Sequence, residues 1–245
     1  GEKHLKDKPQ PPLKLESIEN AKSIFDEIKK GDILNHVPYH SYESVIKFFE
    51  DAATDPTVTH IKIIQYRVAK ISRIMDALIL AVKNGKQVSA FVEIKARFDE
   101  AANLQWGERL EKAGVAVNYS IPGLKVHSKM SIVRRIEKDK AKIYCYFSTG
   151  NFHEDTARLY SDIGVFTADK NLTSEATRVF SYLETKNRPP KPFKYLAVGQ
   201  FNLKPMLLNL ITYETSQAEK GKTAQIILKM NSLQDSEMIA ALYKA

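Results

Sequence analysis

Cysteine is almost missing from this 245-residue chain: Cys145 stands alone, inside the apolar run Ile143-Tyr144-Cys145-Tyr146-Phe147. One thiol excludes a disulfide framework and a cysteine-rich zinc site within a single chain, and its apolar neighbours mark it as a buried structural group. No pair of histidines has zinc-site spacing with a third ligand in evidence. The Gly-x-x-x-x-Gly-Lys-Ser/Thr loop is also missing, so any nucleotide is held outside the P-loop scheme. No apolar stretch approaches the length of a membrane span, and the opening Gly1-Glu2-Lys3-His4-Leu5-Lys6 lacks the apolar centre of a signal peptide. The expectation is a cytoplasmic location. Internal repeats and low-complexity segments are absent too.

What is present is an ordinary core-forming composition, 43% hydrophobic, with a formal net charge of +8. That charge favours acidic partners: nucleic acid, phosphorylated metabolites, a polyanion or an anionic membrane surface. Charge alone does not choose among them.

The first dozen residues, with Pro9, Pro11 and Pro12, read as an extended lead-in (1–14). Ser17 to Lys30 has helical periodicity, with Ile18, Ala21, Phe25 and Ile28 on one side. Strands and helices then alternate. A helix at Glu43 to Ala53 precedes a strand at His60 to Val68; a helix at Ser72 to Lys83, closed by Asn84-Gly85, precedes a strand at Gln87 to Ile94. A helix at Glu100 to Ala113 and a strand at Val115 to Tyr119 follow. Such alternation predicts parallel strands in a sheet covered on both faces. Two further strands, Lys129 to Arg134 and Lys142 to Phe147, have only Glu137-Lys138-Asp139-Lys140 between them, which predicts a hairpin added to the sheet. The fold class is therefore α/β, a mixed sheet flanked by helices. A helix at Ser174 to Thr185 leads into Asn187-Arg188-Pro189-Pro190-Lys191-Pro192, which reads as a boundary between a first domain (15–193) and the start of a second (194–245). The second part is expected to hold a helix at Pro205 to Ser216, a strand at Gln225 to Lys229 and a helix from Asp235, too little for an independent core.

The most informative segment is Gly123-Leu124-Lys125-Val126-His127-Ser128-Lys129. In an extended strand, Lys125, His127 and Lys129 share one face, a row of three potential cations without an acid. Burying such a row demands counter-charge, so it marks either an anion site, where the imidazole is placed to attack a phosphoryl group, or an exposed edge strand blunted by basic residues. Open sheets bind ligands beyond the carboxyl ends of their strands. There the chain places Gln65-Tyr66-Arg67, then Lys95-Ala96-Arg97-Phe98-Asp99-Glu100, then Ser148-Thr149-Gly150-Asn151. Arg67 and Arg97 suit phosphate by bidentate donation, although either alone is also served by a salt bridge to Glu93, Asp99 or Glu100. Gly150 permits close backbone approach, and Asn151 offers a donor and an acceptor; an ordinary turn is the plain alternative. In Thr156-Ala157-Arg158-Leu159-Tyr160-Ser161-Asp162, Tyr160 is placed to stack on a base or bond a phosphate, and Asp162 to orient His127 through its second ring nitrogen. A core tyrosine and a capping aspartate compete with those readings. His36, His40 and His60 read as structural or solvated.

Taken together, His36 to Tyr42, Ile61 to Ala69, Asn84 to Val88, Val92 to Glu100, Gly123 to Lys129, Thr149 to Asp162 and Met230-Asn231-Ser232-Leu233 closely resemble, in order and spacing, bacterial polyphosphate kinases of the first type. The resemblance runs from about Leu15 to the terminus. It implies two catalytic domains related to phospholipase D that share one site, of which this chain holds the first and the opening of the second. It makes His127 the phosphohistidine nucleophile, with Lys125 and Lys129 as its electrostatic setting and Asn151 among the phosphate contacts. It makes Tyr160 a nucleotide contact, and Arg67 and Arg97 the pair near phosphate and Mg2+. Arginine has no lone pair for a cation, so the metal must ride on phosphate oxygens beside them. The implied partners are ATP or ADP and inorganic polyphosphate, without specific nucleic acid, in a homo-oligomeric full-length protein; the basic charge also admits attachment to a membrane surface. A second histidine is expected beyond Ala245, so these residues alone are not expected to complete synthesis.

Two other classes share these residues: a phospholipase D-like phosphodiesterase or nuclease, and a non-catalytic polyanion-binding module. The phosphodiesterase pattern is His-x-Lys, a four-residue gap, then Asp. Arg134 occupies that last place, which counts against hydrolysis of a diester.

Overall fold

Crossover helices between successive strands bring those strands side by side and parallel, and three strands of this protein obey that rule. The computed structural model describes residues 10–93, 100–119, 121, 123–230 and 232–245, with the side chains of 100–102 left aside. Arg97, Asn231 and residues 1–9 of the lead-in lie outside the described residues. Two short helices, α1 (Glu16–Glu19) and α2 (Ile24–Ile28), precede β1 (Ile33–Val37) and α3 (Glu43–Thr54). Then come β2 (Val58–Gln65), α4 (Arg73–Lys83), β3 (Gln87–Val92), α5 (Glu100–Lys112) and β4 (Ala116–Tyr119). The chain continues through β5 (Lys129–Glu137), β6 (Lys140–Ser148), β7 (Asp162–Thr167) and α6 (Lys170–Thr185). The seven-stranded sheet has the order β1-β7-β6-β5-β2-β3-β4. Strands β2, β3 and β4 are parallel, whereas β5, β6, β7 and β1 join by antiparallel ladders. The sheet is mixed, as the sequence predicts.

Alternation along β2 assigns the faces. Ile61 and Ile63 belong to the core beneath α3 and α4, while Lys62 points the other way and pairs at 2.6 Å with Glu184 of α6. Helices therefore cover both faces. The core is aromatic at one end: Phe25 and Tyr144 have ring centroids 5.0 Å apart, Phe48 and Phe49 5.4 Å, and Tyr146 and Phe166 4.5 Å. The turn between β5 and β6 places Lys138 and Asp139 at φ 48° and 61°, the paired left-handed geometry of a two-residue hairpin whose twist matches the sheet.

Three expectations need correction, and two strands were not foreseen. Ser17 to Lys30 is not one helix, because Ser23 turns extended and the Asp51 carboxylate accepts the Ile24 N–H at 2.8 Å, a tertiary contact that starts α2 afresh. Strands β1 and β7 escape periodicity: both are short, and Gly164 interrupts the apolar run of β7. That glycine is required, since a Cβ there would lie 2.1 Å from Tyr146 Oη. Gln225 to Lys229 is no strand; it finds no ladder partner among the described residues, and Gln225 N–H bonds Glu214 Oε2 at 3.1 Å instead. Finally, regular strand begins only at Lys129, so Lys125 and His127 precede β5 in irregular chain.

The chain divides into two compact units, the first ending at Pro189 and the second spanning Pro190–Ala245. The second holds α7 (Leu203–Glu219) and α8 (Ser236–Lys244). Lys204 pairs there with Asp235 at 2.9 Å and Glu237 at 2.8 Å. Its apolar side chains are mostly uncovered, with Ile227 79% and Tyr243 91% exposed. Among the described residues no helix is long and apolar enough to cross a membrane.

Candidate active site

Strand direction decides which residues meet. At one end of the sheet lie the carboxyl ends of β2, β3 and β6 and, because β5 and β7 run the opposite way, their amino ends. The site thus draws Tyr66 and Arg67 from β2, Glu93 from β3, Ser148 to Asn151 from β6, His127 and Lys129 from the entry to β5, and Asp162 from the start of β7. The carboxyl-end rule accounts for the first three groups only.

Tyr66 is the centre of the cluster. Its ring, 7% exposed, meets the His127 imidazole nearly edge-on at 4.7 Å between centroids. Three cations face the same ring: Lys129 Nζ at 4.8 Å, Lys125 Nζ at 5.8 Å and Arg67 Cζ at 5.9 Å. The ring's negative face attracts cations that repel one another, so Tyr66 gathers them and holds the imidazole among them. Buried Asn103 clamps the strand ends by donating to the carbonyls of Tyr66 at 2.8 Å and Glu93 at 3.1 Å. The fully buried Glu93 carboxylate accepts the Val126 N–H at 3.0 Å, fixing the segment that carries His127.

His127 is exposed, yet its pKa is held below the ordinary histidine value, first by partial desolvation and then by Lys129, Lys125 and Arg67. The imidazole is therefore neutral near pH 7, with a lone pair for attack. Lys129 is 5% exposed and donates to the His127 carbonyl. Burial pushes its pKa down to about 8, with Asp162 acting to raise it and Arg67 to lower it.

Among the described residues Asp162 hydrogen-bonds Thr149 and not the His127 ring. Its Oδ1 accepts the Thr149 hydroxyl at 2.8 Å, while Thr149 Oγ1 in turn accepts the Ile163 N–H at 3.0 Å. Among the described residues no hydrogen bond joins it to His127; its negative charge acts on Lys129. Gly150 makes room for this carboxylate, since a Cβ there would sit 2.6 Å from Asp162 Oδ2. Asn151 lies beside it, half-buried, its carbonyl accepting the Tyr42 hydroxyl at 3.4 Å. Tyr160 is 60% exposed on the loop after a single 3-10 turn, Thr156–Arg158. That loop is tied to β1 through His36 Nε2 and Ser161 Oγ, 3.1 Å apart. Arg97 lies outside the described residues.

The site residue that sequence reasoning missed is Tyr66. Its one signal was an aromatic side chain directly before Arg67 at a strand end, which read as part of the strand. Cys145 is fully buried and its thiol is pushed up by desolvation, as expected of a structural group.

A family model described as polyphosphate kinase C-terminal domain 1 matches residues 23–189, and one described as C-terminal domain 2 matches residues 196–245. The polyphosphate kinase of Vibrio vulnificus strain YJ016 is 45% identical over 245 residues, which is 100% of this chain and 35% of that protein. The polyphosphate kinase of Escherichia coli K12 is 42% identical over 247 residues, 100% of this chain and 36% of that protein. The crystal structure of polyphosphate kinase from Porphyromonas gingivalis superimposes with a TM-score of 0.87 at 39% identity, covering 98% of this chain and 40% of that one. The chain thus spans about a third of the length of these relatives. With both family models in register and all 245 residues of this chain aligned to a relative at 45% identity, this chain belongs to the polyphosphate kinase family.

Proposed function

We propose that this chain carries the phosphohistidine site of a polyphosphate kinase, which moves the γ-phosphoryl group of ATP reversibly to inorganic polyphosphate. The observation that carries the reading is the His127 imidazole set among three cations on the Tyr66 ring, a setting that holds its pKa below the ordinary histidine value. In the first step an imidazole nitrogen forms a bond to the γ-phosphorus while the bond to the β–γ bridging oxygen breaks, and ADP leaves with the electron pair. In the second, a terminal oxygen of polyphosphate attacks the phosphohistidine and the nitrogen recovers its lone pair. Lys129, Lys125 and Arg67 offset the charge on the transferring group in both directions. Tyr160, exposed on its loop, offers a ring to the adenine.

Mg2+ is proposed to arrive on phosphate oxygens. Among the described residues no group of three or more His, Cys, Asp or Glu side chains could hold it, and besides His127 three cations face Tyr66. The hydrolytic alternative lacks its carboxylate. Arg134 instead donates from Nη1 to Thr59 Oγ1 at 2.8 Å across the β2–β5 ladder, a structural bond.

The test is incubation of the full-length protein, wild type and His127→Ala, with γ-labelled ATP. Acid-labile, alkali-stable label is expected in the wild type and none in the variant. Equal labelling of the two sinks the assignment. Salt-dependent polyphosphate binding with no label in either leaves only the polyanion-binding module.

A further inference from the structure

At the far end of β5 and β6 from His127, the hairpin turn and the first turns of α6 enclose a groove of about 1110 Å3. Strand β5 spans its nine residues between the two ends, about 27 Å at the rise of an antiparallel strand. Lys138, Lys140, Lys142 and Lys170 line the groove, and none of them makes an ion pair among the described residues. The acids around it are already engaged. Glu137 pairs with Arg135 at 2.7 Å and Lys29 at 3.0 Å and accepts the Tyr144 hydroxyl, while Asp169 accepts the Asn171 and Leu172 N–H groups at 2.9 Å each. Arg178 and Glu175 neutralise each other at 2.9 Å. Exposed Asp139, at the tip of the turn, is the one further carboxylate of the hairpin.

We infer that this groove is a second anion site, which holds a distal stretch of a linear inorganic polyphosphate while the chain end occupies the His127 site. The inference rests on the proposed function for its substrate. Three observations select the ligand class. The groove is strongly basic, and its described lining holds no aromatic side chain on which a nucleic-acid base could stack. Its unpaired cations are all lysines, flexible point charges that suit a featureless repeating anion better than the fixed fork of arginine. Its distance from His127 makes it useless to a short anion and useful to a long one, which two linked sites retain between transfers.

The test measures binding to the full-length protein carrying His127→Ala, so that no transfer to His127 intervenes, with and without Lys138→Gln, Lys140→Gln, Lys142→Gln and Lys170→Gln together. The probes are polyphosphate of several hundred units, tripolyphosphate and an oligodeoxynucleotide. Long polyphosphate is expected to weaken at least about tenfold, with a log–log salt slope shallower by up to about 3 from four lost cations; tripolyphosphate is expected to be unchanged. Replacing the same four lysines by arginine should retain long-chain affinity, which separates lost charge from lost folding. Unchanged long-chain affinity in the glutamine variant overturns the inference, as does an equal loss for the oligonucleotide. Failure of His127 labelling with the groove result intact would count against the catalytic reading alone.

Discussion

Two buried cations stand at opposite ends of the same strand and live under opposite rules. Arg135, 8% exposed, is fully answered: Asp55 pairs with it at 2.8 Å and Glu137 at 2.7 Å, its guanidinium lies 4.9 Å from the Phe25 ring centroid, and its pKa is raised. Lys129, 5% exposed, has its own chain's carbonyl and an aromatic face, with Asp162 acting only through its field, and its pKa falls to about 8. A compensated buried charge holds a structure together. An undercompensated one is a stored demand for an anion, and it sits beside His127, the proposed nucleophile.

The sharpest way to break this comparison is to delete both charges. Arg135→Met takes the guanidinium from half-buried Asp55 and Glu137, of which Glu137 keeps Lys29, and should cost about 3 kcal/mol in urea unfolding. Lys129→Met should leave unfolding stability equal or higher while slowing phosphoryl transfer to His127 by about 10²- to 10³-fold, the scale of losing one electrostatic stabiliser. Similar stability losses for the two variants would end the distinction.

A smaller effect follows from pH. Because the folded Lys129 titrates near 8 and the unfolded one near the ordinary lysine value of about 10.4, the unfolded chain binds more protons between those values. This group's contribution to stability therefore rises with pH across that window, and its charge is a full penalty at pH 7. Anion binding runs the other way. Pyrophosphate affinity, measured by calorimetry, should fall severalfold as pH passes about 8, and Lys129→Met should flatten that dependence. A wild-type profile flat from pH 7 to 9.5 would contradict the assignment.

A separate effect, on the rate, is expected at Tyr66. Tyr66→Leu keeps an apolar contact but removes the ring face that gathers the cations, worth about 1 kcal/mol or somewhat more. We expect kcat to fall about tenfold with little change in KM. A change in KM alone would make Tyr66 a binding contact instead of the residue that positions His127.

Much of the fold was legible because local patterns and tertiary packing agree. Helices α3 and α4 each present an apolar stripe that the core accepts, Ser72 caps α4 by accepting the Met75 N–H at 3.3 Å, and Gly85 follows α4 at φ 77°. Legibility failed where long-range contacts overrule local preference. The break between α1 and α2 depends on Asp51, and β7 depends on a glycine accommodating the ring of Tyr146. In the site, His127, Lys125 and Lys129 announce themselves by alternation, although only Lys129 is in a strand. Asp162 reads as a partner for histidine because sequence carries residue types but not the register that puts Thr149 beside it.

By itself the sequence determined an α/β chain with a basic row bearing one histidine, because hydrophobic periodicity and side-chain alternation are properties of neighbours along the chain. Only the tertiary structure decided that antiparallel β5 and β7 carry that row and Asp162 to the ends of β2 and β6, with Tyr66 at the centre. Only it decided which of two buried cations is left short of counter-charge. Desolvation and Coulomb interaction depend on what encloses a group, and enclosure is set by chain segments far apart in sequence.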